Sequence, residues 1–413
     1  MVSLCFYFQV HQPYRMKKYH VFDIGKSDDY FDEEKNKEIM HKVARKCYLP
    51  MTNMLLHMIE KSNKRFKCSF AITGTALEQF EKYEPGVIEN FKKLAETGCV
   101  EFVAETYYHS LSVLFSEQEF KEQVALHSKK MKELFGVTPT VFRNTELIFS
   151  NHISKVVKDM GFKAVLAEGA DHVLEWRSPH YVYSTVSAPD LPVLMKSYKL
   201  SDDIAFRFGD VNWPEFPLTV PKFVSWLNAI NGSGEVINLF MDFETFGEHQ
   251  WEDKGIFQFM EHLPDEFLKH PDNNFITPSE VADRYPIRGT LDIHNYVSWA
   301  DVERDLSAWK GNHIQEAAHV ALYRIEQDVK KTGDADLIRK WRMLTTSDHS
   351  YYMCTKWFND GDVHKYFNPY ETPYDSFIAF MNILQDIEKK IKKLSNSQEI
   401  VQSPGSVPVK EVI

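Results

Sequence analysis

I-N-L-F-M-D-F-E-T-F-G-E-H, the segment from Ile237 to His249, decides the fold assignment of this chain. It begins as an apolar run typical of a buried strand and ends with two acidic residues, Asp242 and Glu244. Because side chains alternate between the two faces of a strand, both carboxylates are predicted to point to the same side. Burying a carboxylate is costly unless it is partnered or used. The segment alone is explained equally well by an active site and by a pair of capping acids.

Six further strand-like segments precede this one, and helical patterns separate them. They are residues 2–9, 66–72, 100–104, 139–146, 164–168 and 204–208. Strict alternation of strands and helices is typical of a parallel sheet. The number of units predicts an incomplete TIM-like (β/α)7 barrel over residues 1–290 rather than an open sheet. No glycine-rich phosphate loop follows the first strand, which argues against a nucleotide site.

After residue 290 the pattern changes to helices, and we expect a C-terminal α-helical bundle over 291–395 that contributes to the active-site cleft. Ser298 and Asp301 resemble a capping box, which predicts a helix that bears Trp309. Asp348 falls on an apolar helical stripe, where a carboxylate needs a partner or a function. The polar residues 396–413 are predicted to form a disordered tail.

Polar residues stand at the ends of most predicted strands. They are His11, Thr73, Glu105 with His109, Glu146, Glu168, and Asp242 with Glu244. In a barrel, functional residues gather where the strands end, so the pattern favours an active site. Two carboxylates from different strands are the minimum needed to cleave a glycosidic bond, and Glu146 and Asp242 could face each other across the mouth.

A metal site is the competing interpretation of the same residues. His11, His109 and His249 could join the acids in two-histidine, one-carboxylate ligation. No H-x-x-x-H or H-E-x-x-H spacing supports this interpretation, and it stays the weaker alternative.

Composition restricts the partners and the location. There are 48 Lys and Arg against 59 Asp and Glu, a net charge of −11, so no nucleic-acid or anionic-membrane partner is expected. The five cysteines form no C-x-x-C pair, which indicates reduced thiols. The sequence has neither a signal-peptide pattern nor a membrane-spanning run, and a cytoplasmic location is predicted. It leaves the oligomeric state open.

Five motifs, in this order, resemble those of glycoside hydrolase family 57, the second α-amylase family. They are H-Q-P from His11, V-E-F-V-A-E-T-Y-Y-H ending at His109, F-R-N-T-E ending at Glu146, M-D-F-E-T-F-G around Asp242, and S-D-H-S-Y-Y around Asp348. A segment from Ser298, S-W-A-D-V-E-R-D-L-S-A-W-K-G-N, is similar to the family's C-terminal helical region.

The resemblance implies roles for individual residues. Glu146 matches the family's catalytic nucleophile and Asp242 its general acid/base. Four residues match positions that line the reacting sugar subsite, and Tyr351 falls near an aromatic that stacks on sugar. The four are His11, His109, Glu244 and Asp348. The family also implies an incomplete (β/α)7 barrel, a retaining mechanism, and neither a cofactor nor a catalytic metal.

Two residues depart from the family pattern. Gln9 replaces the first histidine of H-x-H-Q-P, and Arg143 stands where some members have tryptophan. Both are predicted to contact substrate and to alter the subsites. The hypothesis is an α-amylase that acts on an α-glucan or maltooligosaccharide. The alternatives are a 4-α-glucanotransferase, a non-catalytic glucan-binding protein, and a metal-dependent deacetylase or mannosidase.

Overall fold

Parallel strands of buried apolar residues form the centre of the larger of two units. The structure, a computed structural model, describes residues 2–356 and 368–402. Its strands are β1 Ser3–Val10, β2 Cys68–Ile72, β3 Val100–Phe102, β4 Val141–Arg143, β5 Ala164–Ala167, β6 Val182–Thr185, β7 Ala188–Met195, β8 Val236–Asp242, β9 Asn274–Phe275 and β10 Ile287–Leu291. Its helices are α1 Glu33–Val43, α2 Leu49–Lys61, α3 Gly74–Tyr83, α4 Pro85–Glu96, α5 Glu117–Phe135, α6 Asn151–Asp159, α7 Asp171–Leu174, α8 Tyr198–Ala205, α9 Val220–Asn228, α10 Ile256–Phe267, α11 Pro278–Arg284, α12 Ser307–Lys310, α13 His313–Arg324, α14 Glu326–Lys331, α15 Ala335–Met343, α16 Ser347–Tyr351 and α17 Pro373–Gln402.

The strands form two sheets that together follow a ring. One sheet has the order β3-β2-β1-β8, with β9 also paired to β1, and the other has the order β10-β6-β7-β5-β4. Ala104 joins β3 to β4, since its N–H donates to Val141 O and its carbonyl accepts from Arg143 N, each at 2.8 Å. Between β7 and β8 the link is looser: Ser197 N donates to Asn238 O at 2.8 Å. Strands β1, β2, β3, β4, β5, β7 and β8 therefore form an incomplete seven-stranded barrel, which confirms the predicted fold class.

Side chains on these strands alternate between the barrel interior and the surrounding helices, as the two-residue period requires. The interior residues include Cys5, Tyr7, Val103, Val141, Leu166, Leu194 and Phe240. The outward residues include Leu4, Phe6, Phe8, Phe70, Leu239 and Met241, which pack against the helices. Asp242 continues the interior series of Val236 and Phe240, so its carboxylate belongs to the barrel mouth.

The predicted sixth strand, 204–208, is wrong. Ile204 and Ala205 end helix α8, residues 206–208 form the turn after it, and the sixth barrel strand is β7 instead. Pro189 and Pro192 lie within β7, and proline usually argues against a central strand because it cannot donate to a ladder. Only the last part, Val193 to Met195, has the continuous apolar character of a buried strand, and it pairs with β5.

The chain divides into two compact units, Met1–Tyr14 with Glu33–Ala308, and Arg15–Asp32 with Trp309–Ile413. The second unit contains helices α13 to α17, in agreement with the predicted helical region. Its core includes Tyr30, Leu322, Trp341, Phe380 and Ile383. The predicted domain limits, 1–290 and 291–395, and the contribution of the helical bundle to the cleft stay predictions.

Two predictions concern the helical part of the chain. The helix expected from Ser298 is wrong: residues 298–306 form turns, and helix α12 begins only at Ser307. The predicted tail, 396–413, overlaps the end of α17 at 396–402, and its remainder lies outside the described residues. Within the described part of the chain, no helix is long and apolar enough to cross a membrane.

Candidate active site

A chain of hydrogen bonds leads from the first strand into the barrel mouth. The hydroxyl of Tyr7 donates to Gln9 Oε1 at 2.6 Å, which turns the amide so that Gln9 Nε2 donates to Glu105 Oε1 at 2.9 Å. All three side chains are buried. Gln9 is also the register partner of Asp242 on the neighbouring strand β8, so the two residues lie at the same level of the barrel.

His109 continues the chain towards Glu146. Its Nδ1 lies 3.0 Å from Glu105 Oε2 and its Nε2 lies 3.4 Å from Glu146 Oε1. Burial disfavours the imidazolium, but the hydrogen bonds to Glu105 and Glu146 outweigh burial and raise the pKa of His109 to about 9. The ring of His11 stacks on that of His109, with centroids 4.0 Å apart, and His11 Nδ1 lies 3.0 Å from Thr73 Oγ1. At neutral pH this arrangement places a cation beside the Glu146 carboxylate.

Glu146 lies on a turn directly after β4 and has a strained backbone. Its φ is +57°, that of Leu147 is +51°, and that of His109 is +51°. Residues with a Cβ rarely adopt such values, and where they do the surrounding structure must hold them. Trp299 supplies one support, since its indole N–H donates to Glu146 Oε2 at 2.8 Å and its backbone N–H donates to Glu146 O at 3.2 Å.

These contacts set the charge of Glu146. Burial alone would raise the pKa of its carboxyl. The hydrogen bond from His109, the charges of His109 and Arg143, and the hydrogen bond from Trp299 together hold that pKa below its usual value. Glu146 is therefore ionised over the whole neutral range, as a nucleophile must be.

Asp242 is shifted in the opposite direction. Burial raises the pKa of its carboxyl and the negative charge of Glu146 adds to the increase, while His249, Arg143 and His109 oppose it. Of the predicted catalytic pair, Glu146 thus has a lowered pKa and Asp242 a raised one, which is the difference expected between the nucleophile and the general acid of a glycosidase.

Glu244 lies in a turn after strand β8, and its carboxyl group bonds to a residue outside that strand. Strand β8 ends at Asp242 and residues Phe243–Thr245 form a 3-10 turn, so the alternation that predicted a shared face does not extend to Glu244. Its carboxyl accepts a short hydrogen bond from Tyr48, which in turn accepts one from Gln12 Nε2 at 3.1 Å. Burial, followed by repulsion from Asp242, raises the pKa of Glu244 to about 8. Glu244 is therefore protonated at neutral pH.

Arg143, one of the two residues that depart from the family pattern, is completely buried. Within the described residues its three guanidinium nitrogens form no hydrogen bond, but the guanidinium lies over the ring of Trp299 with 4.7 Å to the centroid. Its positive charge lowers the pKa values of Glu105, Glu146 and Asp242. Arg143 balances the negative charge of the barrel mouth and supports one face of the tryptophan.

A buried ion-pair cluster holds the turn that carries Trp299. Arg304, on the same turn, lies 3.2 Å from Glu168 and 3.5 Å from Asp202, and Lys196 lies 3.6 Å and 3.3 Å from the same two acids. Lys196 also lies 5.3 Å from the centroid of the Trp299 ring. Glu168, predicted as a residue of the rim, therefore pairs with the cations that hold the turn of Trp299, and it affects Glu146 only through this turn.

Seven of the nine predicted site residues belong to the barrel unit and gather around its mouth. They are Gln9, His11, His109, Arg143, Glu146, Asp242 and Glu244. The other two, Asp348 and Tyr351, lie on α16 of the second unit, where Asp348 accepts from Tyr352 at 3.4 Å and Tyr351 packs on Trp309. Their predicted contact with sugar stays a prediction. Within the described residues, no group of three His, Cys, Asp or Glu side chains is placed to hold a metal ion.

Two contacts of the site were missed by sequence reasoning. Trp299 lies in the segment from Ser298 that resembles the family's C-terminal helical region. The sequence pattern predicts a helix there and does not indicate that Trp299 contacts Glu146. Tyr48, the partner of Glu244, lies in a π-helical turn, Ala44–Tyr48, for which the sequence gives no recognisable signal.

Comparison with known proteins identifies the family. The model of glycosyl hydrolase family 57 matches residues 5–294. A protein of Methanocaldococcus jannaschii, provisionally named as an alpha-amylase, is 42% identical over 410 residues, which are 96% of this chain and 86% of the relative. A GH57 branching enzyme of Thermococcus kodakaraensis superposes with a TM-score of 0.70 at 14% identity, over 99% of this chain and 92% of that one. An alpha-amylase of Thermotoga maritima gives a TM-score of 0.62 at 15% identity, over 98% and 94% of the two chains. The chain belongs to glycosyl hydrolase family 57, as its ordered motifs predict.

Proposed function

We propose that this enzyme is a retaining glycoside hydrolase of the α-amylase type, which cleaves α-1,4 links in glycogen, starch or maltodextrin. The observation that carries the proposal is the opposite shift of two carboxyl pKa values in one barrel mouth. The pKa of Glu146 is lowered and that of Asp242 is raised. A carboxyl group with a lowered pKa suits the nucleophile of this chemistry, and one with a raised pKa suits the proton donor. The names of the relative from M. jannaschii and of the structural neighbours support an α-glucan as the substrate.

In the first step, a carboxylate oxygen of Glu146 forms a bond to the anomeric carbon while the bond to the glycosidic oxygen breaks. Asp242 gives its proton to that oxygen, so the leaving chain departs as a neutral alcohol. In the second step, the ionised Asp242 takes a proton from water, and the water oxygen replaces Glu146 at the anomeric carbon. Two displacements restore the original configuration and return both acids to their starting states.

The neighbours of Glu146 have defined tasks in this proposal. Trp299 and His109 hold the carboxylate on its strained turn and stabilise its charge. His11 and the protonated Glu244 contact sugar hydroxyls at the reacting subsite, and Gln9 fixes Glu105 behind them.

The test is product analysis on maltoheptaose for the wild type, Glu146→Gln and Asp242→Asn. We expect the wild type to release shorter maltooligosaccharides whose first-formed anomer is α by proton NMR, and each variant to lose activity by a factor of at least about 10³. Circular dichroism should show the same fold in all three proteins. Products longer than the substrate would establish a transferase instead, and near-normal activity of either variant would refute the assignment of that residue.

A further inference from the structure

A second cavity lies in the barrel unit, away from the catalytic carboxylates. Its volume is about 730 Å³, and aromatic and charged side chains line it together. It is bordered by the start of β6, the start of β10 and the turn before β8. Glu235 on its wall precedes Asp242 by seven residues of an extended strand, so the cavity lies about 20 Å from the catalytic acid.

An exposed tryptophan forms one wall of this cavity. Trp176 is 84% exposed, and the guanidinium of Arg177 lies over its ring with 5.1 Å to the centroid. Glu175, directly before it, has a φ of 56° and a ψ of −114°, a conformation that costs free energy for a residue with a Cβ. Arg177 also pairs with Glu175 at 3.2 Å. The exposed indole thus lies on a strained turn that an ion pair closes.

Other lining residues supply polar groups. Arg288 Nε donates to Glu235 Oε1 at 2.9 Å. The second oxygen of Glu235, Oε2, is buried and forms no hydrogen bond within the described residues. Tyr183 also lines the cavity; it is buried, and its hydroxyl donates to Ser178 O at 2.6 Å.

The charges of the cavity indicate which ligand class fits. Each arginine is already matched by a glutamate, Arg177 by Glu175 and Arg288 by Glu235. The site therefore has no surplus positive charge for a phosphate or a nucleotide. The flat ring of Trp176 can stack on the apolar C–H face of a ligand, and the hydrogen-bonded pair of Arg288 and Glu235 supplies polar groups for hydroxyls. Together they suit a neutral ligand that is rich in hydroxyl groups.

We propose that this cavity is a second binding site for α-glucan chains, with Trp176 as its stacking platform. The inference rests on the proposed function for the identity of the polymer. A site on the same unit as the catalytic acids keeps a bound polymer near the barrel mouth and increases its effective concentration there. Short oligosaccharides bound at the catalytic site gain nothing from it.

Native gel electrophoresis through glycogen tests the binding. It is performed in the Glu146→Gln background, which does not consume the polymer if the proposed function holds. We expect Trp176→Ala to weaken retardation by about tenfold in apparent Kd, Trp176→Phe to retain most of it, and Phe206→Ala to leave it unchanged. Phe206 is the matched control, since it is 66% exposed and does not line the cavity.

Kinetics of otherwise wild-type protein test the consequence. Trp176→Ala should raise the KM for glycogen several-fold and leave kcat/KM on maltotetraose unchanged. Equal retardation of the Trp176→Ala variant and its parent would overturn the second site, whether or not the enzyme hydrolyses glucans. Retardation that depends on Trp176, in a protein without hydrolytic activity, would support the second site and refute the proposed function.

Discussion

Replacing Trp299 by Phe should move the acidic limb of the pH profile. The substitution removes the indole N–H that donates to Glu146 Oε2 at 2.8 Å. It keeps an aromatic ring near the guanidinium of Arg143 and the ammonium of Lys196, which lie 4.7 Å and 5.3 Å from the centroid of the indole ring. A hydrogen bond to a charged group contributes about 1.5–3 kcal/mol. Because this bond stabilises the ionised carboxylate, its loss should raise the pKa of Glu146.

The assay is kcat/KM on maltooligosaccharides as a function of pH, because this quantity reports the pKa values of the free enzyme. Glu146 must be ionised to attack, so activity is lost as pH falls through its pKa, and a higher pKa moves this limb upward. Trp176→Phe, the same change at an exposed position far from Glu146, should leave the profile unchanged. A uniform fall in kcat/KM for Trp299→Phe with the acidic limb in its wild-type position would refute this account of how Glu146 is kept ionised.

Two further variants test the supports of the site. The pKa of Glu244 is raised from 4.5 to about 8, so the folded protein keeps a proton that the unfolded chain loses. The contribution of Glu244 to stability should therefore fall, by about 5 kcal/mol at most, as pH rises from 4.5 to 8. Glu244→Gln should flatten this part of the curve of unfolding free energy against pH, and an unchanged slope would contradict the shift. Arg304→Met removes one of the two cations that pair with Glu168 and Asp202 in a buried cluster. It should lower the free energy of unfolding by about 3 kcal/mol, measured by urea unfolding, and abolish most of the hydrolytic activity. Arg288→Met, which breaks a more exposed pair, should cost less than about 1 kcal/mol, and an equal loss in both variants would argue against an anchoring role for Arg304.

The barrel and its acids could be predicted because their signals are local. The apolar run that ends at Asp242 has the composition of a buried strand, and strand β8 ends at that residue. Strand ends in a parallel barrel gather at one rim whatever the loop conformations are. For this reason the sequence alone predicts that Gln9, His109 and Glu146 lie in one site.

The sixth strand and the supports of Glu146 could not be predicted, because they depend on distant contacts. Strand β7 contains two prolines and is held by β5, which the sequence pattern does not reveal. Trp299 reaches Glu146 across 153 positions of the chain, through a turn fixed by ion pairs with Glu168 and Asp202. The positive φ of Glu146 likewise follows from its surroundings and not from its own preference.

Trapping the covalent intermediate tests the central claim most directly. A 5-fluoro-α-glucosyl fluoride, or its maltosyl-extended form, should react with the enzyme, and peptide mass spectrometry should locate the added sugar. We expect one glycosyl group per chain, bound as an ester to Glu146, and no labelling of Glu146→Gln. A sugar ester on Asp242 or Glu244, or β-configured first products without any covalent adduct, would contradict it.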